Sequence, residues 1–216
     1  SMFYFAKGDK VKSAAENFSD QVCQAFKKKG KNTKKLAIDK IMLDGFKSLE
    51  NRDFEIENGE KIMEHARSIK SGEEIKAMRC SISACETSMH IMENKTKPGM
   101  AENDIWSVLH SENIKRGGEW IETRLLSSGT KTNPWFQECG SRVLQNNEIL
   151  AFDTDLVGCY SICTDISRTW WIGDQEPTTE MKQDYRIALD HIQQNAELVA
   201  PGVHFKDLTF KGHQLD

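Results

Sequence analysis

Hydrophobic and polar positions in the first part of the chain follow two different periods. Apolar residues recur at helical spacing over Val11–Phe26, and the basic residues and glycine at positions 27–30 are typical of a helix C-terminus. A short apolar run follows at Leu36–Ile38, then a second helical stretch at Met42–Leu49 and an alternating stretch at Asp53–Glu57. The order helix, strand, helix, strand predicts a small α/β unit.

The pattern changes after residue 66 and predicts a second, larger domain over residues 67–216. The segment Ser71–Glu74 resembles a capping box, and the long helix that it opens ends before Pro98. The apolar face of this helix is predicted to be core and consists of Ile75, Met78, Ile82, Cys85, Met89 and Met92. The remaining predicted elements are a helix over Glu102–Arg116, a strand over Trp120–Leu126, a polar loop over Ser127–Cys139, two strands within Ile149–Trp171, a helix over Thr178–Val199 and an amphipathic stretch from Asp207.

Composition and charge exclude several classes of protein. The 29 Lys and Arg residues against 33 Asp and Glu give a net charge of −4, and the acidic residues are spread along the chain. The one basic run, Lys27–Lys35, is predicted to be a solvated helix end and loop, so we expect no nucleic-acid partner. No apolar run approaches the ~18–20 residues that cross a bilayer, which predicts no membrane partner. A hydrophobic content of 38% is enough for a packed core. Six scattered cysteines without a secretory signal predict reduced thiols in a cytoplasmic protein.

Three aspartates carry the candidate chemistry. Asp153 and Asp155 lie two residues apart on a predicted strand, so both carboxylates share one face and Thr154 lies on the other. The returning strand brings Asp165 opposite them. Three carboxylates in one partly buried patch repel one another unless a cation neutralises them, and oxygen ligands suit Mg²⁺, Mn²⁺ or Fe²⁺. In the alternative that spacing leaves open, Asp153 or Asp155 caps a turn while Asp165 pairs with Arg168.

The run from Asp153 to Thr169 resembles metallopeptidase family M24, which contains creatinase, methionine aminopeptidase and the Xaa-Pro peptidases. The segment Arg67–Ile75 is similar to the family's entry into its first long helix. The resemblance implies an α/β (α+β) fold in two parts. Residues 1–66 would be the tail of a creatinase-type N-terminal α/β domain, and residues 67–216 the N-terminal half of a pita-bread catalytic domain with a curved antiparallel sheet.

The resemblance also implies a metal site that this chain only partly supplies. In the family, two divalent metal ions (here Fe, Mn or Zn) are held by one aspartate on the first hairpin strand and one on its partner strand, together with one His and two Glu. In this chain the corresponding hairpin offers Asp153, Asp155 and Asp165. We expect those further ligands, and the catalytic residues, beyond Asp216. We therefore expect an N-terminal fragment that is inactive by itself and binds metal weakly, although the parent protein is an enzyme. Family likeness favours a homodimer.

Within the family, the likeness is greatest to the lyases of the DddP type, which cleave dimethylsulfoniopropionate to dimethyl sulfide and acrylate. Family members usually space their two hairpin aspartates eleven residues apart, whereas here that spacing from Asp165 leads to Thr154, as in the lyases. The loop Thr132–Gly140 is similar to the lyase loop and lacks the substrate-contacting His of the peptidases, and the chain continues with the same aromatic pair, Trp170–Trp171.

The lyase resemblance implies a small-molecule substrate whose sulfonium group is attracted to aromatic faces. Trp135 and Phe136 are the candidate substrate-binding residues, although ordinary packing of the loop explains them equally well. Two alternatives stay open. One is an Xaa-Pro dipeptidase or aminopeptidase, and the other, from a different class, is a binding module that has lost its metal site.

Overall fold

The computed structural model describes residues 4–30 and 33–214. The chain divides into two compact units, residues 1–73 and residues 74–216. The division falls seven residues later than the predicted domain boundary after Ala66, because a helix that the apolar pattern does not predict, α4 at Glu60–Ser68, belongs to the first unit. The sequence of this helix is amphipathic, with Ile62, Met63 and Ala66 at helical spacing, but none of its residues is buried in the structure.

The first unit is a small α/β arrangement, as the pattern of its residues predicts. Its elements are α1 (Tyr4–Lys7), α2 (Val11–Lys28), β1 (Lys35–Ile38), α3 (Leu43–Glu50), β2 (Glu55–Asn58) and α4. The two strands are parallel, with Leu36 opposite Ile56. Leu49 is fully buried, and the rings of Phe26 and Phe54 meet edge to face at 5.1 Å between centroids.

Gly59 allows α4 to start directly against the end of β1. A Cβ atom at this position would lie 2.8 Å from both the backbone nitrogen and the carbonyl carbon of Ile38. Backbone atoms cannot move aside as a flexible side chain can, so any larger residue would push the strand and the helix apart. The Gly59 N–H meanwhile donates to the Ile38 carbonyl at 2.9 Å.

The second unit places two helices against an antiparallel sheet. Its elements are α5 (Gly72–Lys95), α6 (Glu102–Lys115), β3 (Leu126–Ser128), β4 (Glu148–Asp153), β5 (Leu156–Val157), β6 (Cys163–Thr164), β7 (Ser167–Ile172), α7 (Thr179–Glu197) and α8 (Phe205–Lys211). Strands β3, β4 and β7 form one sheet with β4 at its centre, and β5 and β6 form a separate antiparallel pair. No helix within the described residues combines the length and the apolar character that crossing a bilayer requires.

The core of this unit forms between one face of the sheet and helices α5 and α6. Leu150 and Phe152 of β4 are fully buried there with Leu109 of α6, and the Phe152 ring lies 4.7 Å from that of Trp170. The neighbouring Trp171 instead donates its indole N–H to the Gln175 carbonyl. Only one of the two adjacent tryptophans therefore packs into the core, as strand alternation predicts.

The predicted apolar face of α5 is correct in its second half and wrong in its first. Cys85, Met89 and Met92 are buried, whereas Ile75 and Ile82 are 41% and 38% exposed. The buried stripe continues instead through small residues, which are Ser81, Ala84 and Ser88. Small side chains let the β5–β6 hairpin approach closely, since a Cβ atom on Gly158 would lie 1.9 Å from the Ser81 hydroxyl oxygen. Close backbone approach selects this face of the helix, and hydrophobicity alone does not show it.

The segment predicted as a strand over Trp120–Leu126 followed by a polar loop is shifted in the structure. Only Leu126 of the predicted strand belongs to β3, and Trp120 is 54% exposed. The two serines that follow, Ser127 and Ser128, are fully buried strand residues rather than loop. Ser128 can be buried because a buried carboxylate accepts hydrogen bonds from its backbone N–H and from its hydroxyl. The free-energy cost of burying an unpaired polar residue therefore does not arise.

Glu112 of α6 is a buried carboxylate surrounded by cations. Its oxygens accept hydrogen bonds from Lys115 at 2.8 Å and from Arg116 at 2.7 Å, and Lys95 lies 3.7 Å away. The hydrogen bonds from Lys115 and Arg116 lower the pKa of Glu112 from 4.5 to about 2. A carboxyl group whose pKa is lowered by folding stabilises the protein above its unfolded pKa and loses this effect as the pH falls toward its folded pKa.

We expect Glu112→Gln to destabilise the protein at neutral pH and to matter progressively less in acid. The difference in melting temperature from wild type should shrink as the pH falls below about 4.5, because Glu112 of the unfolded chain then binds a proton while folded Glu112 stays ionised, and this proton uptake favours unfolding of the wild-type protein. Thermal unfolding of both proteins followed by circular dichroism from about pH 7 to about pH 3 measures this. A difference that is constant across the range would show that the ion pairs do not carry the effect.

Candidate metal centre

The structure brings the three predicted aspartates together. Asp153 is the last residue of β4, Asp155 lies between β4 and β5, and Asp165 lies between β6 and β7. One carboxylate oxygen from each lies within 4.8 Å of the other two. Asp153 and Asp155 are half-buried and Asp165 is exposed, so the cluster opens toward solvent on one side.

The end of β4 holds Asp153 in place through its partner strand. Asp153 lies opposite Ser167 of β7 in the sheet register, and its Oδ1 accepts a hydrogen bond from the Ser167 hydroxyl at 3.0 Å. The Asp153 backbone N–H donates to the Leu125 carbonyl at 2.9 Å. One oxygen of the Asp153 carboxylate is therefore committed to orienting the side chain.

Thr154 faces away from the cluster, as strand alternation predicts. It is fully buried, and its hydroxyl oxygen accepts the Ile166 N–H at 3.0 Å, with the Cys85 thiol 3.9 Å away. This hydrogen bond joins the segment after β4 to the segment before β7, one residue from Asp165. Thr154 thus fixes the separation of the two sides of the cluster without contributing a ligand atom.

Asp155 adopts a backbone conformation that is rare for a residue with a side chain. Its φ of 32° is positive, and the turn directs the carboxylate toward Thr123, whose hydroxyl donates to Oδ2 at 3.0 Å. The Asp155 carbonyl accepts the Glu122 N–H at 3.0 Å. Aspartate tolerates positive φ better than most residues. The sequence offers no signal for Thr123, because it lies thirty-two positions from Asp155 in an irregular segment.

Asp165 has no ion-pair partner among the residues that the structure describes. A hydrogen bond shared with Asp153, burial, and repulsion by the charges of Asp153 and Asp155 raise the pKa of Asp165 above its ordinary value. Arg168, the alternative partner that spacing suggests, donates instead to the Ser167 carbonyl at 2.8 Å. In the part of the chain that the structure describes, no ion pair involves Asp165.

The arrangement is suited to a divalent cation. Three carboxylates provide hard oxygen donors at a separation that one ion, or two ions sharing a bridging carboxylate, can span. Ser167 and Thr123 each hold one carboxylate by a hydrogen bond, which is the role of outer-shell partners at metal sites. A bound cation would remove the repulsion that acts on Asp165.

The structure places the predicted substrate residues on an exposed turn. Trp135 and Phe136 are 39% and 72% exposed, and their ring centroids lie 6.0 Å apart. Phe136 has a φ of 69°, which turns the chain sharply between the two rings. Ordinary packing of the loop and a role in substrate binding are both compatible with this exposure.

Comparison with known proteins gives one family and two groups of relatives. The model of metallopeptidase family M24 matches residues 76–215. Dimethylsulfoniopropionate lyase DddP of Roseovarius nubinhibens is 52% identical, and that of Roseobacter denitrificans 51% identical, over the whole chain and 49% of each relative. The X-Pro aminopeptidase from Thermotoga maritima superposes with a TM-score of 0.76 at 22% identity, covering 88% of this chain and 54% of that one. The chain spans about half the length of the curated relatives that it matches.

Proposed function

The chain belongs to metallopeptidase family M24, and from this premise we propose that it forms part of a metal-dependent lyase that cleaves dimethylsulfoniopropionate to dimethyl sulfide and acrylate. The observation that carries the proposal is 52% identity, over the whole chain, to a lyase of that name. The solved peptidase structures from Thermotoga maritima and Pyrococcus horikoshii are 22% and 18% identical to this chain, and they bear on the fold alone. They confirm the predicted α/β architecture of this chain.

In this proposal Asp153, Asp155 and Asp165 hold two divalent ions, Fe, Mn or Zn, together with ligands from outside this chain. When bound, such ions supply positive charge that stabilises the negative charge developing beside the substrate carboxylate. The donor set and the repulsion among its members support this assignment. The hydrogen bonds from Ser167 and Thr123 keep two of the carboxylates in fixed orientations.

The substrate joins a carboxylate to a sulfonium through two carbons. A base takes up the proton on the carbon beside the carboxylate, the electron pair of that C–H bond forms the new double bond, and the carbon–sulfur bond breaks with its pair going to sulfur. Acrylate and neutral dimethyl sulfide result. We assign Trp135 and Phe136 to the sulfonium, because aromatic faces attract cations and both rings stand out from the loop surface. We further propose that the protein acts as a homodimer.

The test is to incubate the full-length gene product, loaded with Fe, Mn or Zn, with dimethylsulfoniopropionate and separately with an Xaa-Pro dipeptide. We expect acrylate, detected by liquid chromatography, and no free proline. Proline release without acrylate would replace the lyase proposal by the peptidase alternative within the same family. Neither product, together with no bound metal, would favour the binding module.

A further inference from the structure

Glu102 is a fully buried carboxylate on which four hydrogen bonds converge. It is the first residue of α6, and its side chain has no exposed surface. Oε1 accepts the N–H and the hydroxyl of Ser128 at 2.9 and 2.8 Å, and Oε2 accepts the Lys131 ammonium at 2.7 Å and the Gly140 N–H at 3.1 Å. Two carboxylate oxygens have about four acceptor sites, so the acceptor capacity of Glu102 is used in full.

The partners of Glu102 come from both ends of one segment. Ser128 precedes and Gly140 follows the stretch of residues 129–139, which contains Trp135 and Phe136, and Lys131 lies within it. The segment is bonded to the start of α6 by backbone groups as well, since the Asn103 N–H donates to the Gly140 carbonyl at 3.0 Å. Glu102 therefore closes the base of the aromatic loop, which we define as residues 129–139.

A second ion pair lies beneath the first and shares Ser128 with it. Arg142 donates two hydrogen bonds to Glu148, at 2.6 and 2.7 Å, and a third to the Ser128 hydroxyl. Gly129 lies over this pair with a φ of 53°, where a Cβ atom would fall 2.1 Å from a Glu148 oxygen. The start of the aromatic loop thus rests on a continuous polar network in which each carboxylate has a cation.

From this convergence we propose that Glu102 is a positioning residue for substrate recognition: by closing the base of the aromatic loop, it holds Trp135 and Phe136 in the arrangement that binds the sulfonium. The inference rests on the proposed function for its substrate, whereas the effect of Glu102 on the loop does not. Glu102 itself is buried and touches neither ring, so it acts only through the loop.

The network explains how two exposed rings keep a defined position. Rings that stay largely in contact with water contribute little hydrophobic free energy to hold the loop in place. A loop of this length explores many conformations when only one end is held. Glu102 contributes charge-assisted bonds that are shielded from water and therefore stronger than those at the surface. If the loop were released, the fraction of molecules with a competent site would fall, and the apparent affinity for substrate would fall in proportion.

The test compares Glu102→Gln with wild type in the full-length gene product labelled with 5-fluorotryptophan. The ¹⁹F resonance of Trp135, assigned as the signal that disappears in Trp135→Phe, reports on the loop without any need for activity. We expect it to shift or to split in Glu102→Gln. We also expect KM for dimethylsulfoniopropionate to rise by about tenfold or more while kcat changes by less than about threefold, since binding and not chemistry depends on the loop.

Two further variants keep the result interpretable. Lys131→Met removes the loop's own cation at a partly exposed position and should reproduce the spectral and KM changes if Glu102→Gln fails to fold. Glu112→Gln is the matched control, because Glu112 is also a buried, ion-paired carboxylate of α6 but contacts none of the loop residues. It should leave the Trp135 resonance and KM unchanged.

An unchanged Trp135 resonance in folded Glu102→Gln and Lys131→Met would overturn the proposal. If the resonance changes in the variants but the wild-type protein shows no lyase activity with any of the three metals, the proposed function is refuted and the loop-closing role of Glu102 is retained. A changed resonance with unchanged KM would show that the position of the loop does not affect substrate binding, and it would also overturn the positioning role.

Discussion

Replacing Asp153 or Asp165 by Asn in the full-length gene product should abolish high-affinity metal binding and reduce lyase activity by about 1,000-fold or more. Each substitution removes one of three carboxylates whose oxygens lie within 4.8 Å of one another, and it replaces a charged donor by a weak neutral one. We expect the metal content, measured by inductively coupled plasma mass spectrometry, to fall from two ions per chain to less than one. The Asn side chains are nearly the same size, so folding should be preserved.

The matched control is Asp174→Asn, which removes one negative charge from an exposed position near the end of β7. Asp174 accepts a hydrogen bond from Asn146 at 2.9 Å and lies outside the carboxylate cluster. Metal content and activity should stay at the wild-type level in this variant. Wild-type metal content in both Asp153→Asn and Asp165→Asn would contradict the metal assignment and would favour the binding module.

Phe152→Ala should destabilise the second unit by about 4 kcal/mol, the largest effect on stability that we expect from a single core substitution. Phe152 is fully buried at the centre of the sheet, and its ring packs on Trp170 at 4.7 Å between centroids. Truncation leaves a cavity that the neighbouring strands cannot close, because β4 is bonded on both sides. Urea unfolding of the full-length gene product followed by tryptophan fluorescence measures the shift.

Phe210→Ala supplies the control for loss of a phenyl ring. Phe210 lies on α8 and is 86% exposed, so its removal should change the free energy of unfolding by less than about 0.5 kcal/mol. Equal effects of the two substitutions would show that the packing of Phe152 does not stabilise this unit. Because Phe152 precedes Asp153, the metal content of Phe152→Ala, measured separately, indicates whether loss of core packing affects the carboxylate cluster.

The parts of the fold that sequence predicts well are those in which local periodicity and burial agree. Helices α2, α3 and α6 occur within a few residues of their predicted bounds, because each buries a stripe that recurs at helical spacing. The clustering of Asp153, Asp155 and Asp165 was predicted, but the strand alternation from which it was argued holds only for Asp153 at the end of β4. Asp155 follows in a turn with a φ of 32° and not on the predicted strand, and Asp165 lies between β6 and β7, so the return of the chain brings the three together. Whether the cluster binds metal stays a prediction.

The parts that sequence does not predict depend on contacts between distant segments. Glu102 begins a helix where an exposed acidic residue is ordinary, and nothing local shows that residues 26, 29 and 38 positions away close over it. Ser128 of β3 is polar in sequence and can be buried because that carboxylate accepts hydrogen bonds from its N–H and its hydroxyl. Thr123 contacts Asp155 for the same kind of reason, through a segment that has no regular structure.

The carboxylate cluster lies where the chain passes between the three-stranded sheet and the β5–β6 pair, so it connects two separate sets of strands. Strands β4 and β7 belong to the three-stranded sheet, β5 and β6 form a two-residue pair of their own, and Asp155 and Asp165 are at the two points where the chain crosses between them. So short a hairpin has few bonds of its own to resist opening. Any ion held by both crossing points would link hairpin opening to ion release, so local unfolding of β5–β6 would become less frequent as the concentration of free metal rises.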